Sequence, residues 1–133
     1  MDLIRLKELL GELEVGWSPH ERDDCLWIEA EAEHCRFSLG ARLEADTLTL
    51  ACRLSDGSHS LERRADLEHV LLLNDDLSVF RIYLDPQGEL WLAGEWPTAR
   101  LDREGLEWFL FDCIGFYDDL FPQFRAEPSP RDA

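Results

Sequence analysis

The apolar positions of this chain recur in two rhythms, and the change between them marks out the elements. Leu3, Leu6, Leu9, Leu10 and Leu13 return at helical spacing after Asp2, a capping residue, until Gly16 stops the pattern. A short amphipathic helix is predicted there. After the polar stretch 18–24 the period drops to two: Leu26, Ile28 and Ala30 alternate with Trp27, Glu29 and Glu31. Phe37 and Leu39 alternate with Arg36, Ser38 and Gly40, and Leu48, Leu50, Cys52 and Leu54 with Thr47, Thr49, Ala51 and Arg53. Three consecutive antiparallel strands fit the short turns between them.

Residues 56–60 supply a turn and a cap for a second helix, supported by Leu61, Ala65, Val70, Leu72 and Leu73 and ending near Asn74. Two further strands, 77–84 and 89–96, flank Asp85-Pro86-Gln87-Gly88. Asp first, Pro second and Gly fourth suit a type I turn followed by a left-handed residue, which closes a hairpin. Pro97 ends the ladder because it has no N–H to donate. Asp102 then caps a last helix whose final turn is expected to break at Pro122. The order is α-βββ-α-ββ-α in a single α+β domain, an antiparallel five-stranded sheet packed by helices.

That last helix carries half of the chain's fourteen aromatic residues. At ~100° per residue, Leu106, Phe109, Leu110, Cys113, Phe116, Tyr117, Leu120 and Phe121 share a stripe roughly 140° wide, enough to bury one face. Trp108 and Phe111 fall outside it, on the side of Asp112, Asp118 and Asp119. An aromatic side chain buries ~150–250 Å² when covered, so two left in water mark a contact surface. Trp27 and Trp91 lie on the polar register of their strands beside glutamates, where they either shield the sheet's second face or dock a partner.

The chain has 133 residues, 45% hydrophobic and 32% charged, which suits one folded domain. A domain is expected over 1–125, with 126–133 a disordered acidic, proline-containing tail. Twenty-nine acids against 13 bases give a net charge of −16, and Lys7 is the one lysine. Such a field repels phosphate backbones and anionic membranes, so neither nucleic acid nor membrane is expected as a direct partner. It draws in basic protein surfaces. No apolar run approaches a membrane span and no leader pattern opens the chain, which places the protein in the cytoplasm. Cys25, Cys35, Cys52 and Cys113 then read as free thiols.

The element order, Leu-Leu-Asn before the fourth strand, the hairpin Asp-Pro-Gln-Gly-Glu-Leu and the ending Asp-Asp-Leu-Phe-Pro-Gln-Phe resemble the YbjN-like family over roughly residues 4–125. The resemblance implies the fold of type III secretion chaperones of the Tir-chaperone kind: small, acidic, often homodimeric α/β domains that hold segments of other proteins. It further implies a link to stress-responsive regulation rather than to a reaction, and it supplies no catalytic motif.

Reactive residues are present without an arrangement. Cys25, His34, Cys35 and Cys52 include zinc-type ligands, yet no Cys-x-x-Cys pair exists and the strand pattern points them to different faces. Ser58, His59, Ser60, His20 and His69 lack a third orienting group. The pairs Asp23–Asp24, Asp75–Asp76 and Asp118–Asp119 read as solvated acids. Gly40, Gly57, Gly88 and Gly94 are isolated, so no phosphate loop is present. No catalytic residue, metal or cofactor is therefore expected.

The expected function is that of a non-enzymatic, stress-related adaptor that forms a homodimer and holds a client protein. The client is expected to be basic, with a nucleic-acid-handling protein as one form of it. Trp108, Phe111 and Ile114 are the expected contact residues, with Trp27 and Trp91 behind them. An acidic inhibitor or immunity-type protein that mimics nucleic acid to block a basic enzyme is the alternative, and a small enzyme with an unrecognised site is a third.

Overall fold

The computed structural model describes residues 1–54, 64–75, 77 and 79–124, and of residues 64–67 and 100 the backbone alone. The expected turn and cap at 56–60, Leu61, the Ser58-His59-Ser60 group, Asp76 and the tail lie outside the described residues.

Helix α1 (Leu3–Glu12) begins where Asp2 accepts the Arg5 N–H at 2.9 Å, and it buries Leu6, Leu9 and Leu10 completely. It stops before Gly16: Glu14 takes the left-handed conformation, with φ of 59°. The chain then enters β1 (Trp17–Pro19), β2 (Cys25–Glu31), β3 (Arg36–Glu44) and β4 (Thr47–Arg53). Helix α2 (Arg64–Asp75) leads to β5 (Phe80–Leu84) and β6 (Leu90–Pro97), and α3 (Arg103–Phe124) closes the chain. The sheet is antiparallel throughout, in the order β1-β2-β3-β4-β6-β5.

Six strands replace the expected five. The extra one, β1, pairs Trp17 with Ile28 and Pro19 with Leu26 inside what reads as a polar loop. Three residues are too few to display an alternation, and Pro19 fits there because β1 is an edge strand. Trp17 is fixed by Lys7, whose ammonium lies 4.7 Å from the ring centroid.

The helices share one core with the sheet. Leu26, Ile28, Leu39, Ala41, Leu48, Leu50, Ile82 and Leu92 project toward Leu6, Leu10, Phe109, Leu110 and Cys113. Gly94 makes the closest approach: a Cβ there would lie 2.5 Å from the Phe80 ring, which in turn stacks on Phe109 at 5.2 Å. The hairpin forms as read, with Gly88 at φ 81° and its N–H on the Asp85 carbonyl at 3.0 Å. Asn74 then ties α2 to an edge strand, its amide donating to the Ile82 carbonyl at 3.0 Å and accepting the Ile82 N–H at 2.6 Å.

The last helix departs from expectation in two places. It runs through Pro122 to Phe124, and the Gln123 side chain donates to the Asp119 carbonyl at 3.3 Å near the proline. Asp118, expected among solvated acids, is 9% exposed. The connection between β2 and β3 reaches around the helix and covers it: the His34 N–H donates to one carboxylate oxygen at 3.0 Å and the His34 ring meets the other at 2.8 Å.

Candidate partner-binding surface

Helix α3 is capped by Asp102, which accepts the Gly105 N–H at 2.7 Å. Its inner stripe is filled as the spacing requires, with Leu106, Phe109, Leu110, Cys113 and Leu120 buried and Phe116, Tyr117 and Phe121 packed at the margin. On the outer side Trp108 remains 64% exposed and Phe111 48% exposed. Glu104, Glu107 and Asp112 surround these two rings in a shallow concavity. The surface is thus an apolar pair framed by carboxylates.

Phe111 also borders a second feature. A groove of about 640 Å³ runs from the α1–β1 corner, with Leu13 and Val15, across Glu29 and Glu31 of β2 to Phe37, Phe111 and Ile114. It exists because β1 is short. Past Ile28 no β1 residue pairs with β2; the Glu29 N–H still donates to the Gly16 carbonyl at 2.9 Å, and beyond that bond the space beneath α3 opens. Ile114 is 8% exposed and belongs to the groove wall and the core, while Phe111 stands at the rim.

Trp27 and Trp91 lie elsewhere. Trp27 is in register with Gly40, Ala51 and Ala93 on the sheet face opposite the helices. It is 36% exposed and rests beside the His20 ring at 4.7 Å. Trp91 is half-buried on the same face, with its indole N–H donating to Asp85 at 2.8 Å and its ring stacked on Tyr83 at 6.5 Å. Two intervening strands separate these tryptophans by on the order of 14 Å. Neither joins Trp108 and Phe111 in one patch, and Trp91 serves the hairpin.

The electrostatics reinforce the acidic framing. Arg36 is paired with Glu31 at 3.0 Å beside the groove, and Arg53 with Glu89 at 3.2 Å. Burial tends to raise the Asp118 pKa, but hydrogen bonds from the His34 ring, its N–H and the Cys35 thiol outweigh it and hold the carboxyl below its usual range. The His34 imidazole is correspondingly raised by its hydrogen bond to Asp118. Burial and the Asp118 carboxylate push Cys35 up to about 11. The hydrogen bond with Cys113 and burial hold the Cys52 thiol well above its ordinary value, deep in the core. All four cysteines are free.

Sequence reasoning missed Asp118 and the groove. The buried acid left no local signal, because His34 is 84 positions away.

Six antiparallel strands backed on one face by helices that include a long, aromatic C-terminal one define a fold of the type III secretion chaperone class. YbjN from E. coli, described as a candidate transcription regulator, superposes with a TM-score of 0.70 at 14% identity, over 92% of this chain and 90% of that one. The ExoU–SpcU heterodimeric complex of the Pseudomonas aeruginosa type III secretion system gives 0.64 at 18% identity, over 88% and 95%. The Yersinia pestis type III secretion chaperone SycH, solved with a stable fragment of YscM2, gives 0.57 at 18%, over 86% and 95%. No protein-family model matches the sequence, and none of the curated proteins matches it. At these identities the likeness establishes the fold. Among the described residues no helix is long and apolar enough to cross a membrane.

Proposed function

We propose that this chain is a non-enzymatic, chaperone-like adaptor of the cytoplasm that forms a homodimer and holds a segment of a partner protein. The observation that carries the reading is the exposure of Trp108 and Phe111 in an acid-framed concavity beside a groove. Two large rings held in water have no role in the domain's own core. The groove offers apolar walls, Leu13, Val15, Phe37 and Ile114, to a partner segment. Glu29, Glu104, Glu107 and Asp112 favour a basic partner, and a nucleic-acid-handling protein is one that fits. The fold supports the reading by likeness to SycH, solved with a fragment of YscM2, and to the ExoU–SpcU complex. The stress-related role rests on the resemblance to the YbjN-like family.

Affinity capture from the native cell with the parent chain and with Trp108→Ser/Phe111→Ser tests this. Proteins held by the parent at high ionic strength and lost from the double variant are the expected outcome, since apolar docking survives salt. An unchanged captured set, with sedimentation showing a monomer at every concentration, overturns the proposal. Capture that fails steeply with salt and ignores the aromatic substitutions supports nucleic-acid mimicry in its place.

A further inference from the structure

On the sheet face turned away from the helices, the strand register lays out two rows. One runs Trp27, Gly40, Ala51, Ala93 and Arg81 across β2, β3, β4, β6 and β5. The other runs Arg42, Thr49 and Glu95 across β3, β4 and β6. A glycine and two alanines keep the middle low, and depressions of about 640 and 240 Å³ meet there, sharing Arg42, Thr49, Tyr83 and Ala93. Trp27 leans into this trough: a Cβ on Gly40 would lie 3.7 Å from its ring.

The groups around the trough are left without partners of their own. Trp27 is 36% exposed. Arg81 and Glu95 are exposed, and neither has a charge partner among the described residues. Arg42 meets Glu44 at 2.7 Å through one nitrogen, while its Nε has no partner.

The two rows complement themselves. β3 and β6 flank β4, and β2 and β5 lie one strand further out on either side. A two-fold axis laid along β4 in the plane of contact therefore sets β3 against β6, and β2 against β5, of a second copy. Arg42 then faces Glu95 of the other copy, and Trp27 faces Arg81, a guanidinium for an indole. Gly40 faces Ala93 and Ala51 faces its own counterpart, so nothing bulky on these positions holds the sheets beyond the ~10 Å of sheet-on-sheet packing. Arg53, which the axis sets against its own counterpart, is already paired with Glu89 at 3.2 Å. From β2 to β5 the face is about 19 Å wide, so the contact covers on the order of 1,000 Å² in total, the low end for a specific interface.

We infer that a second copy of this chain docks on the open sheet face, sheet against sheet, about a two-fold axis along β4. The inference rests on the homodimer of the proposed function and gives it a geometry. Each α3 then points outward, and the Trp108 and Phe111 surfaces of both copies stay open to partners.

Sedimentation equilibrium over a concentration series tests it, at physiological ionic strength, where repulsion between two acidic chains is screened within about 8 Å. The parent is expected to dimerise. Glu95→Arg and Arg42→Glu each set like charges against one another and are expected to raise the dimer dissociation constant at least about 10-fold. Mixed in equal amounts, the two variants are expected to form a heterodimer of parental strength, because both Arg–Glu contacts are restored; a folding defect cannot produce that rescue. Arg81→Ala, at an exposed position, is expected to weaken the dimer with the circular dichroism spectrum unchanged. A dimer indifferent to Glu95→Arg and Arg81→Ala, a mixture of the two folded charge variants that stays monomeric, or a dimer lost only in Trp108→Ser/Phe111→Ser overturns the inference and leaves the homodimer standing. A parent chain that is monomeric at every concentration overturns both.

Discussion

Trp108 and Phe109 are neighbours in sequence with opposite fates, and replacing each by alanine separates a surface role from a core role. Phe109 is 1% exposed and lies against Phe80 at 5.2 Å and Trp96 at 5.5 Å, so Phe109→Ala removes a buried ring and leaves a cavity. That costs about 3–5 kcal/mol. Trp108 keeps 64% of its surface in water, so truncation forfeits about 70 Å² of burial, at most about 2 kcal/mol. Alanine's better helix propensity returns about 0.5 kcal/mol, leaving a net loss of about 1 kcal/mol. At about 4 °C per kcal/mol for a domain of this length, Phe109→Ala lowers the melting temperature by about 12–20 °C and Trp108→Ala by about 4 °C. Urea unfolding followed by circular dichroism, at two protein concentrations, measures both.

The reasoning is refuted if Trp108→Ala costs as much as Phe109→Ala at every concentration, because the folded domain would then be covering that indole itself. A loss seen only at high concentration has another meaning. It places Trp108 between two copies of the chain and favours the homodimer as its occupant.

Asn74→Ala strands the Ile82 N–H and C=O, and a loss of about 2–4 kcal/mol is expected in urea unfolding, with early hydrogen exchange confined to β5. Gly94→Ala drives a methyl into Phe80 and lowers stability by about 1–3 kcal/mol, and Gly94→Ala with Phe80→Leu recovers part of it in a double-mutant cycle. Asp85 has its pKa lowered because hydrogen bonds from the Trp91 indole and from the Glu89 and Gln87 N–H groups outweigh the effect of burial. Its contribution is therefore present above the unfolded-state value and lost as pH falls through the folded one, so the stability gap between the parent and Asp85→Asn narrows below about pH 4 in acid-series unfolding.

What was legible in the sequence was local. Asp2 and Asp102 cap helices within three residues of themselves, and Asp85 to Gly88 closes a turn on itself, so their chemistry is complete in a short window. Leu-Leu-Asn was readable as a pattern but not as a mechanism, since the task of Asn74 is to pair with a strand that has not yet begun. β1 was lost because three residues carry no period. Pro122 was misjudged because a proline ends a helix only where nothing beyond it holds the turn, and Phe124 is buried in the core.

The outer side of α3 shows where such reading stops. Spacing sets Asp118 and Phe111 only about 20° apart around the helix, so the pattern gives them one environment. They differ along the axis: seven residues separate them, about 10 Å of rise. At the level of Asp118 the β2–β3 connection crosses the helix, and His34 and Cys35 close over the carboxylate. At the level of Phe111 no such crossing occurs, and β1 is too short to fill the space, so a groove opens there. An angular pattern names the residues that leave the core; only the paths of distant loops determine which of them meet water. The outer face is therefore two surfaces: a closed polar clamp around Asp118, and an open aromatic rim at Trp108 and Phe111.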